Sequence, residues 1–431
     1  MKYKAYTLEN FREIRQINQL EEELLFDIEV VAHVLPFKVN NYVVDELIDW
    51  SDPVNDPIFR MTFPQRDMLK PEHYAAIAVL IKSGADRGIV RQEANRIRLQ
   101  LNPHPAKQLE KNIPVLEGVK LRGLQHKYRE TLLFFPIKGQ TCHAYCTFCF
   151  RWPQFVGMNK LKIAMSRSEE LIEYLKRHSE ITDLLITGGD PLIMKTRFIR
   201  MIFDKINSAN LRNLINIRIG SKALSYWPYR FLEDDDAEDL LELFREVNQK
   251  GRRLAFMAHF NHQKELNTKS AREAVKRILS TGSIIRSQAP ILRNINDKPA
   301  IWQKMWKKQV RMGIIPYYMF VPRNTGAQHY FATPLVKIWE IFKEAYQQVS
   351  GLCRTVRGPI MSADPGKIQI LGVDQVKGEK VIALQFIQGR NPDWVMRPFF
   401  ARYDEKAVWR TQLVPAFDRD KFFYEEDLSN G

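Results

Sequence analysis

Leu184-Leu-Ile-Thr-Gly-Gly-Asp-Pro191 is the stretch that decides the fold, a short apolar run passing straight into a glycine-rich polar turn. Five further runs share its character: Leu132–Pro136, Ile215–Ile219, Leu254–Ala258, Ile284–Arg286 and Ile314–Phe320. Between them the apolar residues recur at spacings of three and four, which predicts helices over Ser168–His178, Arg197–Asn207, Asp236–Lys250, Lys269–Ser280 and Ile301–Arg311. Strands that alternate with helical crossovers predict a parallel sheet with right-handed connections. The continuous apolar strands predict burial on both faces. Polar clusters follow the strands at Gly188-Gly-Asp-Pro191, Gly220-Ser221, His259-Phe-Asn-His262, Ser287-Gln288 and Pro322-Arg323. In βα barrels the active site gathers at the carboxyl ends of the strands. Six units rather than eight favour a partial, open (β/α)6 barrel of the TIM type.

Working outward, the N-terminal third reads as helical. Asn10 is placed to cap a helix, with Glu13 closing a capping box, and Phe11, Ile14, Ile17, Leu20, Leu24, Ile28 and Val31 follow at helical spacing until Pro36. Helices are also expected near Pro71–Ile81 and Val90–Leu101, followed by an aperiodic connector over Asn102–Leu121. Beyond the barrel a helix at Pro334–Gln348 leads through Cys353 into an irregular Gly/Pro stretch. Strands at Lys367–Leu371 and Val381–Phe386 then flank a turn at Lys377-Gly-Glu-Lys380. The chain divides on this reading into a helical region with connector (1–125), the barrel (126–335) and a small C-terminal α+β module (336–431).

The totals narrow the class. The 431 residues are 45% hydrophobic and 27% charged, as in ordinary folded proteins. No apolar stretch reaches membrane-spanning length. The first ten residues lack the apolar segment and cleavage site of a secretory signal, so the expected compartment is the cytoplasm. The formal charge is +15, but the basic residues are dispersed, as in Lys304-Met-Trp-Lys-Lys308, with no basic tail. Solvated faces and pockets for carboxylate or phosphate account for them better than nucleic acid. There are only four cysteines, and three of them fall within eight residues, which argues against a disulfide framework.

Those three lie in Gly139-Gln-Thr-Cys142-His-Ala-Tyr-Cys146-Thr-Phe-Cys149-Phe-Arg151. Three thiolates at this spacing can hold three corners of a [4Fe–4S] cube and leave one iron open. Structural zinc is the alternative, but it needs four closed ligands; His143 beside Cys142 is badly placed to supply the fourth, and there is no second cysteine pair. The pattern, with aromatic Phe148 before the last cysteine, resembles the signature of radical S-adenosylmethionine (SAM) enzymes. The resemblance implies that the open iron binds the SAM amino and carboxylate groups, and that reduction releases a 5′-deoxyadenosyl radical which abstracts hydrogen from the substrate.

Within that superfamily the chain resembles the lysine 2,3-aminomutase family from about Asp56 (Asp56-Pro-Ile-Phe-Arg60) to Lys367. The resemblance is sharpest at Leu185-Ile-Thr-Gly-Gly-Asp-Pro-Leu192, Arg218-Ile-Gly-Ser221, His259-Phe-Asn-His262, Ser287-Gln288 with Leu292-Arg293, and Pro316-Tyr-Tyr318. It implies that Gly188, Gly189 and Asp190 meet the SAM amino group, the glycines allowing close backbone approach. Arg218, Ser221, His259 and Gln288 match positions near SAM. A second cofactor, pyridoxal 5′-phosphate (PLP), is implied with Lys367 as its Schiff-base lysine, although Ser362-Ala-Asp-Pro-Gly366 replaces a longer glycine run. Arg151 matches the arginine that grips the substrate carboxylate. Lys127 and Arg129 lie where the family places phosphate-binding cations.

The chain departs from the family where substrate identity is set. Two aspartates hold the distal ammonium in the lysine-acting enzymes, and here the matching residues are Arg323 and Ile360. A cation and an apolar side chain reverse the charge logic, so lysine is not the expected substrate, whereas glutamate or another polar or anionic amino acid suits Arg323. The leading expectation is therefore a SAM- and PLP-dependent amino-acid 2,3-aminomutase, an isomerase moving nitrogen from Cα to Cβ. The alternatives are elimination or epimerisation by the same radical chemistry with or without PLP, a basic iron–sulfur protein acting on RNA, and a non-catalytic iron–sulfur scaffold. Expected partners are a small amino acid and a flavodoxin- or ferredoxin-like electron donor, with no membrane or nucleic acid and with homo-oligomerisation open.

Overall fold

A computed structural model describes residues 1–429, so Asn430 and Gly431 of the expected C-terminal module lie outside the described residues. One mixed sheet of eleven strands organises the chain, and its strands lie in chain order from edge to edge. They are β1 (Leu124–Tyr128), β2 (Thr131–Phe134), β3 (Asp183–Ile186), β4 (Asn216–Ser221), β5 (Arg253–His259), β6 (Ile284–Pro290), β7 (Ile315–Phe320), β8 (Arg357–Ser362), β9 (Gly366–Val376), β10 (Glu379–Gly389) and β11 (Pro398–Arg402). Neighbours from β2 through β8 pair in parallel, and antiparallel pairs flank them: β1 at one edge, β9 to β11 at the other.

Four N-terminal helices of more than one turn precede the sheet: α1 (Glu22–Val34), α2 (Pro57–Thr62), α3 (Pro71–Lys82) and α4 (Arg87–Gln100). The crossovers are α5 (Ser168–Arg177), α6 (Thr196–Ser208), α7 (Ala237–Gln249), α8 (Lys269–Leu279), α9 (Pro299–Arg311) and α10 (Leu335–Gln347). Parallel neighbours demand such long connections. Each of the six parallel strands and five helices expected between residues 131 and 320 is present. A seventh parallel strand, β8, occupies the stretch expected to be irregular, with α10 as the crossover that leads to it.

The strands are not buried alike on both faces. Along β3, β4 and β6 buried and half-buried residues alternate, the period-two signature of two unlike faces. Leu184, Ile186, Ile217, Ile219 and Ile285 share one core with Ile199, Phe203, Leu240, Phe244, Val275 and Trp302 of the crossover helices. Each such side chain contributes about 1.5–3 kcal/mol on burial. The opposite register carries Asp183, Arg218, Arg286 and Gln288, so this face is polar and serves chemistry rather than packing.

A second core joins the N-terminal region to the strand-end loops. Val30, Val31, Val34, Ile58, Phe59, Ile77 and Ile97 pack with Ala144, Trp152, Tyr226, Trp227, Leu292 and Phe331. The first helix differs from its expectation. Residues Phe11–Glu13 and Arg15–Gln19 form short 3-10 turns and the α-helix begins only at Glu22. Asn10 makes no capping bond; its side-chain oxygen accepts from the Thr7 amide at 2.8 Å.

Candidate active site

The cysteine loop follows β2 and is held from both sides. On its N-terminal side the Thr147 amide donates to Met61 O at 2.9 Å and the Tyr145 amide to Lys38 O at 2.8 Å. The Thr147 hydroxyl donates to Arg60 O at 2.8 Å, the Tyr3 hydroxyl to His143 O at 2.8 Å and the Asn40 amide to the same carbonyl at 3.2 Å. On the other side the Asp190 amide donates to Thr141 O at 2.7 Å. A Cβ on Gly189 would come within 2.6 Å of Thr141 N, and one on Gly188 would strike the Gln140 side chain. Gly188 also has φ +144°, a conformation that glycine alone adopts freely. These glycines therefore allow the turn after β3 to lie directly on the cysteine loop.

Cys142, Cys146 and Cys149 are free thiols, each half-buried, on one short loop. Burial and mutual repulsion push Cys142 well up, Cys149 to about 12 and Cys146, where burial dominates, to about 11. Three thiols so disfavoured as anions suit a strongly positive guest, because a bound metal deprotonates its thiols outright. A structural zinc closes its tetrahedron with four ligands, and this loop offers three cysteines. A cube presents separate corners to its thiolates, so the donor set fits a cluster better than a lone zinc. Phe148 meets Phe331 edge-on at 6.0 Å between the loop and the N-terminal core.

The carboxyl ends of β3 to β6 carry a connected polar layer. Asp190 is buried and accepts from the Ser221 hydroxyl at 2.9 Å, the Lys222 amide at 2.9 Å and the Leu192 amide at 3.0 Å. This carboxylate locks two strand-end turns together. Lys222 in turn pairs with fully buried Glu265 at 2.5 Å and contacts His259 O at 3.2 Å. His259 Nε2 lies 2.9 Å from the Gln288 side-chain nitrogen, the two residues being opposed in the β5–β6 register. Burial, with help from Lys222 and Arg151, pushes His259 down to about 3, so it works as a neutral imidazole.

Lys367 stands on β9, facing the polar side of the sheet. Its ammonium donates to Gln388 Oε1 at 2.5 Å and lies 4.9 Å from the Tyr318 ring centroid and 5.3 Å from that of Tyr128. Burial, then Arg218, Arg357 and Arg323, pull it down to about 7, only partly offset by Asp183. An amine that deprotonates near neutrality is what a Schiff-base lysine requires. Around it lie cations able to hold a phosphate: Lys127, half-buried and donating to Ala363 O, and Arg390, paired with Asp364 at 3.1 Å. The Tyr128 hydroxyl is buried there without a partner.

Between the cysteine loop and Lys367 lie Arg151 and Arg323, both over the Phe150 ring at 4.9 and 4.3 Å. Arg323 donates to the Ser362 hydroxyl at 2.8 Å. Burial first, then Arg323, pulls Arg151 down to about 9, and burial pulls Arg323 to about 10. Neither is ion-paired with a carboxylate among the described residues. Two half-buried guanidiniums without a carboxylate partner among the described residues are able to receive anionic groups.

The structure thus groups the expected residues in three layers: cysteines with Gly188 and Gly189; Asp190, Ser221, His259 and Gln288; and Lys367. Arg218 donates to Asp183 at 2.6 Å and its charge acts on Lys367. Arg129 is exposed, 3.9 Å from the Glu130 carboxylate. Ile360 is fully buried in the sheet. Sequence reasoning passed over Phe150, Gln388, Tyr128 and the clamp formed by Asp56. Buried Asp56 caps α2 through the Ile58 and Phe59 amides and pairs with Lys264 at 2.6 Å, just past the strand-end His262.

No family model matches the chain. A protein of Aquifex aeolicus (strain VF5), provisionally named an L-lysine 2,3-aminomutase, is 32% identical over 409 residues, covering 94% of this chain and 96% of its own length. The L-lysine 2,3-aminomutase of Methanococcus maripaludis is 24% identical over 80% of this chain and 67% of that protein. The glutamate 2,3-aminomutase of Clostridioides difficile (strain 630) is 24% identical over 66% of this chain and 61% of its own. Among solved structures, Streptococcus suis SuiB bound to precursor peptide SuiA gives a TM-score of 0.35 at 11% identity over 60% of this chain and 50% of that one, a likeness too slight to argue from.

Proposed function

This chain belongs to the lysine 2,3-aminomutase family of radical SAM enzymes, and from that premise we propose that it is a 2,3-aminomutase for an acidic amino acid such as glutamate, moving nitrogen from Cα to Cβ. The observation that carries the reading is the pair of unneutralised guanidiniums, Arg151 and Arg323, over one phenylalanine ring. Enzymes of the family use a [4Fe–4S] cluster, SAM and PLP, and the residues present fit each group. Cys142, Cys146 and Cys149 would hold the cluster. Gly188, Gly189, Ser221, His259 and Gln288 would line the SAM site, while Lys367, Lys127 and Arg390 would hold PLP. Bound there, the cluster and SAM supply a 5′-deoxyadenosyl radical, and PLP supplies the electron sink for nitrogen transfer.

The chain's own side chains supply position and charge. Arg151 orients the substrate α-carboxylate and Arg323 its distal carboxylate, fixing which hydrogens face the radical source. Neutral His259 offers polarity without a competing cation. Lys367 gives up its proton near pH 7, with Gln388 receiving its hydrogen bond, so the free amine is available for covalent chemistry. On this reading the six parallel strands β2 to β7 make a partial (β/α)6-type barrel; residues 126–335 carry the radical chemistry, 1–125 embrace the cysteine loop and 336–431 bring Lys367. We place the enzyme in the cytoplasm, reduced by a flavodoxin- or ferredoxin-like donor.

Reconstituted anaerobically and reduced, the protein should cleave SAM to 5′-deoxyadenosine and convert labelled glutamate to its β-amino isomer. Replacing Arg323 by Met should lower kcat/KM for glutamate about 10- to 100-fold, the loss of one charge-assisted hydrogen bond. Turnover of lysine beside inert glutamate would refute the substrate assignment.

A further inference from the structure

Lys38 belongs to none of the groups described above, yet it is built into the wall of the cysteine loop. Its carbonyl receives the Tyr145 amide at 2.8 Å. Its ammonium lies 5.7 Å from the Tyr145 ring centroid and 6.0 Å from that of Tyr3. The same two tyrosines grip the residues on either side of Cys142. The Tyr145 hydroxyl is hydrogen-bonded to that of Thr141 at 2.9 Å, and the Tyr3 hydroxyl donates to His143 O at 2.8 Å. The Lys38 ammonium thus lies against the two tyrosines that bond the residues flanking Cys142, half-buried and without a carboxylate partner among the described residues. A long, flexible cation is normally solvated or paired, and aromatic faces compensate only part of its desolvation.

We propose that Lys38 is an electrostatic tuning residue for the iron–sulfur cluster, raising its reduction potential by stabilising the added electron. The inference rests on the cluster assignment made above. The step is a single-electron one: the oxidised cluster gains one electron, the external reductant loses one, no bond is made or broken, and the site becomes one charge more negative. A fixed positive charge next to one thiolate ligand favours the reduced state, since cluster potentials follow local charge and burial. Half-burial between the Tyr3 and Tyr145 rings restricts the space open to that ammonium, unlike a fully solvated surface lysine.

The test uses the full chain, reconstituted with iron and sulfide and free of SAM, titrated potentiometrically with dithionite and followed by EPR of the reduced cluster. Lys38→Met and Lys38→Gln should keep full iron and sulfide content while shifting the midpoint to more negative potential. The expected size is roughly a tenfold loss in the reduced-to-oxidised ratio at fixed ambient potential, about 59 mV for one electron. Lys38→Arg should restore the parent value. An unchanged midpoint in both neutral variants overturns the proposal. So does failure of both to hold a cluster that Lys38→Arg holds, because the ammonium would then build the site rather than tune it. A parent protein that takes up no cluster at all removes the cluster assignment itself, a result separate from any shift in midpoint.

Discussion

Replacing Lys367 by Met should abolish the proposed chemistry and stabilise the protein. The lysine is held at about 7 against an ordinary 10.5, with burial the largest cause and three arginines adding to it. That difference is worth at most about 5 kcal/mol. Solvent reaching the half-buried side chain and the high effective dielectric of real interiors reduce it to ~1–3 kcal/mol. The sign follows from proton linkage. Between about pH 7 and 10.5 the unfolded chain binds the proton that the folded chain has released, so stability rises with pH across this window. The penalty is fully present below the folded value and vanishes above the unfolded one. Lys367→Met should therefore have a higher urea midpoint than the PLP-free parent at pH 6.5. The advantage should fall to roughly a third by pH 9.5 if the full shift to about 7 is present, and to about half for a shift of about two pH units. A variant less stable than the parent at pH 6.5, or an advantage indifferent to pH, would show that the buried ammonium is not strained and refute the reasoning.

Two further outcomes test the scaffold. Gly189→Ala places a methyl against the Thr141 backbone, which has no flexible end to yield, so it should cost about 1–3 kcal/mol and displace the cysteine loop. Iron bound per chain after reconstitution should fall at least twofold, and an undiminished iron content would contradict the close approach. Asp56→Ala removes a helix cap together with the partner of Lys264, and should lower stability by about 2–4 kcal/mol. A double-mutant cycle with Lys264→Met measures the coupling, and strict additivity would deny the ion pair.

The fold was legible where local periodicity and tertiary burial agree. The crossover helices are amphipathic and their strands apolar on the covered face, so both appear in order between residues 131 and 320. The strand β8 was hidden by Gly358-Pro359, which reads as a turn. In the structure Gly358 is there because a Cβ would approach Met319 O to 2.9 Å, a close contact between strands. Asn10 misled for a related reason: its capping chemistry is satisfied by a local turn with Thr7. The cysteines and glycine turn were legible because their spacing is itself the signal. Gln388 carried a usable signal too, since counting outward from the Lys377-Gly378 turn sets it opposite Lys367. The partnership of Asp56 with Lys264, 208 residues apart, has no local signature at all.

The three layers have unequal freedom to change. Around Cys142 and Gly189 backbone meets backbone, and the buried carboxylate of Asp190 ties adjacent turns, so nearly any substitution there moves something else. The arginine pair at Phe150, outside those three layers, is different: Arg151 and Arg323 reach the ring as side chains, from a loop and from beyond a strand end, and Arg323 bonds to Ser362. A new amino acid could be admitted by exchanging residue 323 and its neighbours while the radical-generating end stays untouched. Descent from a common ancestor would then be expected to scatter substrate preferences across relatives while leaving the cysteine and glycine spacing alone, and a designer seeking a new β-amino acid has one short list of positions at which to begin.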